Sequence, residues 1–142
     1  MLALLFLLAN EHLSHFLLAI WVGDLSFADA YQHTFRYTTV NSYIFSAAFR
    51  AIPSVALALL AVNPKVSTTR VGRVAMWFTA FLLAAYLLLG YWNMQHSLFT
   101  PEHTSSTASL ALIWLPIWAL LFGGIGYTLL FVVIKIFSWR RT

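Results

Sequence analysis

Residues 1–22 read MLALLFLLANEHLSHFLLAIWV, an apolar stretch interrupted at its middle by Asn10, Glu11, His12 and His15. About 20 apolar residues cover roughly 30 Å of hydrocarbon as a helix, so the stretch has spanning length. Ionisable groups at that depth are costly and stand there for a partner or a task. The rest of the chain has the same character. Of its 142 residues, 61% are hydrophobic and only 8% charged, well outside the range of a soluble domain this size.

Working outward, further apolar stretches occupy residues 43–62, 74–92 and 108–134. The expected fold is all-α, an integral membrane bundle of four transmembrane helices forming one membrane domain over 1–142. The fourth stretch is longer than a span needs, which predicts tilt or a bend at Pro116, and Pro53 is placed to bend the second. Trp21, Tyr43, Trp77, Tyr91, Trp92 and Trp139 fall near the ends of these stretches, where amphipathic rings favour headgroups.

Orientation is read from the basic residues. Lys65, Arg70 and Arg73 lie between the second and third stretches, and Lys135, Arg140 and Arg141 follow the fourth; these are six of the eight. Residues 94–107 contain neither Lys nor Arg, and residues 23–42 balance Arg36 against Asp24 and Asp29. The expectation is N-in/C-in, in a plasma membrane of the bacterial inner-membrane type. Ala28-Asp29-Ala30 offers a small-residue cleavage site. Without a basic n-region, and with polar residues inside the apolar run, the first stretch reads as a retained span.

In the first connection Leu25, Ala28, Tyr31 and Phe35 recur at helical spacing, predicting a short helix on the outer surface that starts at Asp24 or Ser26. Within the second stretch Ala47, Ala51, Ser54, Ala58 and Ala61 alternate steps of four and three, a small-residue face suited to close helix packing. Gly123, Gly124 and Gly126 give a second such site on the fourth, and Ala80 with Ala84 a weaker one on the third.

Glu11 and His15 share a helix face, whereas His12 is turned about 100° from Glu11. Arg50 lies at a comparable depth on the second stretch. A Glu11–Arg50 ion pair with His15 adjoining it is therefore expected. Such a cluster can be a structural pair that fixes register, or a proton-responsive site in which Arg50 tunes a carboxylate beside a histidine. Haem held by two histidines is poorly matched, because His12 and His15 occupy one helix; no cofactor is expected. Outside the spans, His33, His96, Glu102 and His103 have ligand chemistry but no recognised metal spacing. The absence of cysteine excludes disulfide frameworks, thiol oxidoreductases and cysteine metal sites. Residues 63–73 lack a glycine-rich phosphate loop, and the basic residues form no aromatic-interleaved patch, which argues against nucleotide and nucleic-acid partners.

Four spans with both ends inside is a layout shared by small exporters, immunity proteins and accessory subunits, so layout alone selects no function. The small-residue faces and the shortness of the loops favour an accessory, regulatory or immunity-type subunit that binds another membrane protein or itself within the bilayer. The Glu11, His12, His15 and Arg50 cluster favours the alternative, a small proton-coupled transporter or channel subunit. Enzymatic activity is the least favoured class, and broken helices of the transporter type are not foreseen.

Overall fold

The computed structural model describes residues 2–100 and 110–139. The regular structure of those residues is helical: α1 Leu2–Leu8, α2 Glu11–Trp21, α3 Phe27–Phe35, α4 Val40–Val62, α5 Pro64–Ser67, α6 Arg70–His96 and α7 Ala111–Trp139. Helices α4, α6 and α7 are each long and apolar enough to cross a membrane. Together α1 and α2 also reach that standard, but they meet at an angle of 49°. The chain thus has the helices of an integral membrane protein.

Polar caps place the helix ends. Thr39 and Ser42 form a reciprocal capping box, which starts α4 three residues before the apolar stretch begins. Thr69 Oγ accepts from Gly72 N–H at 3.1 Å and opens α6 four residues early. In the connection between them, Asn63 caps α5, whose first residue is Pro64. The α5–α6 corner closes tightly over Gly72, where a Cβ would lie 2.7 Å from the Val66 carbonyl oxygen. Pro53 and Pro116 are buried inside continuous helices.

Helix α6 is the central element, packing against α7, α2, α4, α1 and α5. Its buried stripe includes Ala80, Leu83, Leu87 and Tyr91, which join Ala9, Leu57 and Ala119 in one apolar core. Two glycines let α6 and α7 approach closely. A Cβ at Gly123 would sit 3.0 Å from both Leu83 methyls, and one at Gly90 would come within 2.5 Å of Leu115 Cδ2. Gly90 was not among the expected packing positions. Conversely, a Cβ at Gly124 or Gly126 would meet nothing within 4 Å among the described residues, so neither glycine is required for close helix approach there.

The expected seam on α4 also needs correction. The buried face is Ser46, Arg50, Pro53 and Leu57. Ala47, Ala51 and Ser54 lie one position further round and are half-buried, and Ala58 is exposed. The reason is the Ser46–Arg50 pair, which must face the bundle to find its partner and so rotates the helix by one residue, about 100°. A similar rotation applies to α3. Ser26 caps this helix, but Ala30 and Thr34 face inward while Ala28 and Tyr31 are exposed. Ala30 and Thr34 give the close approach of α3, while Phe27, His33 and Phe35 reach round to the rings of Phe16, His15 and His12 on α2.

Candidate functional site

The bend between α1 and α2 is built by Asn10. Its backbone is extended, its Oδ1 accepts from Leu13 N–H at 2.7 Å, and its Nδ2 donates to the Leu7 carbonyl. One side-chain amide thereby satisfies an unpaired donor of α2 and an unpaired acceptor of α1, the two groups that a broken helix leaves exposed. Sequence reading treated Asn10 as an interruption only. Asn followed directly by Glu in the first turn is a helix-start signal, and it was obscured by lying within an apolar run.

Glu11 is the first residue of α2 and is 5% exposed. Its carboxylate occupies the positive end of the α2 dipole, where negative charge is favoured. Arg50, 1% exposed and about 15 Å along the 23-residue α4 from its start, donates from Nη1 to Glu11 Oε2 at 2.9 Å. Above the ring of Phe6 on α1, the Arg50 guanidinium carbon lies 4.8 Å from the centroid, a cation–π contact. The Arg50 side chain therefore holds α1 and α2 to α4 from both sides of the break. It also lines a cavity of about 20 Å³, the volume one water molecule needs.

Ser46 Oγ donates to Glu11 Oε1 and also stands 3.1 Å from the Tyr43 carbonyl. This hydroxyl accommodates both protonation states of Glu11. It donates to the carboxylate, and it accepts from the carboxylic acid while turning its own proton to Tyr43.

Of the two span histidines, His12 is the one beside Glu11, with Nε2 3.5 Å from Oε1. The expectation that His15 adjoins the ion pair is corrected. Although Glu11 and His15 share a face of α2, the His15 ring is engaged one turn further on by α3. The His12 ring lies between Phe35 and Tyr43, at centroid distances of 5.4 and 5.6 Å.

His15 instead meets His33 of α3, with Nε2 3.0 Å from Nδ1. The ring centroids are 5.2 Å apart and the planes differ by 17°, so the facing nitrogens are 2.2 Å closer than the centroids. Rings related in this way meet edge to edge, with one nitrogen donating and the other accepting. Phe99 packs against both, at 5.1 Å from His15 and 5.5 Å from His33.

The chain matches no family model, no curated protein and no solved structure. The site is therefore read from its own geometry. Of the four outer metal candidates, His33 is engaged by His15, His96 lies at the end of α6, and Glu102 and His103 fall outside the described residues. Among the described residues no three His, Asp or Glu side chains gather as a metal-ligand group. What the structure does bring together is a carboxylate with an arginine, a serine and a histidine at a helix break, and a pair of hydrogen-bonded imidazoles one turn beyond.

Proposed function

We propose that the chain is a small proton-responsive membrane subunit of the transporter or channel type, with Glu11 as the proton-binding group. The observation that carries this reading is the discontinuity of the first apolar segment at Asn10, directly beside the buried Glu11–Arg50 pair. Discontinuous helices whose ends point at an ionic site are a recurring device of secondary transporters. A pair needed only to fix helix register requires no break. Ser46 adds support, since its hydroxyl can donate to the Glu11 carboxylate or accept from the acid while turning its own proton to the Tyr43 carbonyl. In this reading α1 and α2 form one broken span of a four-span N-in/C-in bundle in a plasma membrane, and α3 lies at the outer interface. His12 exchanges the proton with Glu11, and the His15–His33 pair stands on the outer side.

The test is proton flux into liposomes that hold the purified protein and an internal pH dye. Wild type is expected to collapse an imposed pH gradient. Glu11→Gln should insert equally well, with the same helical content, and lose the flux. Equal flux from Glu11→Gln would overturn the proposal.

A second reading has its own support. Gly124 and Gly126 are open on α7 beside the exposed Leu120, Leu121 and Ile125. Glycines on an exposed apolar helix face suit close approach by another membrane helix. This favours an accessory, regulatory or immunity-type subunit that binds a different membrane protein, or itself. Gentle purification with identification of co-purifying chains tests it: a stoichiometric partner lost on Gly124→Leu supports assembly through α7.

A further inference from the structure

At the opposite end of the bundle from α3, Arg70, Arg73, Val74, Trp77, Phe78 and Phe81 line a groove of about 520 Å³ along one face of α6. The positions step by three, one, three, one and three, a continuous helical stripe with both guanidinium groups at its head. Arg70 and Arg73 are exposed, and neither makes an ion pair or side-chain hydrogen bond among the described residues. No acidic residue occurs anywhere in residues 30–101. Below the arginines, Val74, Phe78 and Phe81 are about half exposed among the described residues, so the outer side of the stripe is open.

We infer that this groove is a binding site for an anionic phospholipid. Two neighbouring guanidinium groups suit a phosphate headgroup, each offering a planar fork of donors. From Val74 to Phe81 the apolar part of the stripe runs about 10 Å along the helix axis, about two thirds of the roughly 15 Å depth of one hydrocarbon leaflet. A headgroup held at Arg70 and Arg73 lays its acyl chain along Val74, Trp77, Phe78 and Phe81. The length of the apolar stripe selects a lipid over a free phosphate ion, which would use the arginines alone. This site is separate from Glu11 and holds whether or not the protein moves protons.

The experiment is native mass spectrometry of the purified full-length chain, titrated with phosphatidylglycerol or phosphatidylcholine. A basic side chain near the surface contributes about a fivefold preference for anionic lipid, so the pair predicts roughly 25-fold tighter retention of phosphatidylglycerol. Arg70→Gln and Arg73→Gln should each lose about fivefold, and the double variant should bind both lipids alike. Phe78→Ala with Phe81→Ala should weaken both lipids while keeping the preference, and millimolar inorganic phosphate should displace neither. Equal retention of the two lipids by wild type overturns the inference. So does a preference that survives in the double arginine variant, or complete displacement by inorganic phosphate.

Discussion

Replacing Glu11 by Gln keeps the side chain's shape but leaves Arg50 charged and 1% exposed at the centre of α4. Removing one partner of a buried pair costs about 3–5 kcal/mol, because the surviving charge has lost its counter-ion. Arg50→Met strands Glu11 in the same way and should cost a similar amount, to which loss of the Phe6 contact adds roughly 0.5–1 kcal/mol. The double variant removes both charges, and its cost should fall to roughly the cation–π contribution, within about 1–2 kcal/mol of wild type. The coupling from the complete cycle is therefore expected to be at least about 3 kcal/mol, far above the value for exposed pairs. Reversible unfolding in mixed micelles, followed by circular dichroism, measures all four corners. Additive effects of the two single replacements would refute the reasoning, since they would mean that each side chain is stabilised by something other than its partner.

Asn10→Ala removes the cap on α2 and the donor to Leu7, and should destabilise by about 1–2 kcal/mol; loss of proton flux out of proportion to loss of folded protein would tie the break to activity. For α3, the His15–His33 bond requires a lone pair on one ring, so it is lost when both rings carry a proton. Glu11 and His12 on α2, and Asp29 and Arg36 on either side of His33, are the other charged or titratable groups near that pair in the chain. Amide exchange across α3, corrected for intrinsic rates, should therefore accelerate on acidification, and the change should vanish in His15→Phe with His33→Phe. Glycine replacements should separate the two faces of the α6–α7 pair. Gly124→Ala is expected to stabilise the isolated protein by about 0.5–1 kcal/mol, as an open helical glycine allows, while Gly90→Ala should destabilise it against Leu115 in the same unfolding assay.

Hydropathy located the apolar helices to within about a turn, and the differences have local causes. Thr39 and Thr69 cap helices whose first turns are polar, so α4 and α6 begin earlier than the apolar stretches. The pairing of Glu11 with Arg50 was legible because both lie at similar depth and neither charge is tolerable alone. The role of His15 was not: it shares a face of α2 with Glu11, and only the path of α3 shows that its partner is His33. The face of α4 was misread by one residue: Ala47, Ala51 and Ser54 form the more regular small-residue pattern, but burial of one arginine outweighs the packing gain of several alanines. His33 could not be placed against His15 from spacing at all, since that contact depends on how α3 folds back across α2.

The break at Asn10 also constrains any mechanism based on Glu11. Protonating Glu11 weakens its hold on Arg50, and Arg50 is the side chain that touches both halves of the broken segment, Glu11 on α2 and Phe6 on α1. The bend itself is stabilised locally by Asn10 and does not depend on that ion pair. A proton at Glu11 would consequently release α1–α2 from α4 as a bent unit rather than straighten it, using Asn10 as a fixed corner. In the same segment His15 ties α2 to α3 through a bond that needs an unprotonated nitrogen on one ring. Both attachments therefore loosen in the same direction of pH, one in the core and one at the edge. In the proposed proton-responsive reading, movement of α1–α2 against α4 is the change that loss of the Glu11–Arg50 pair would permit, and the apolar core that Ala9 shares with Leu57, Leu83 and Ala119 is what opposes it.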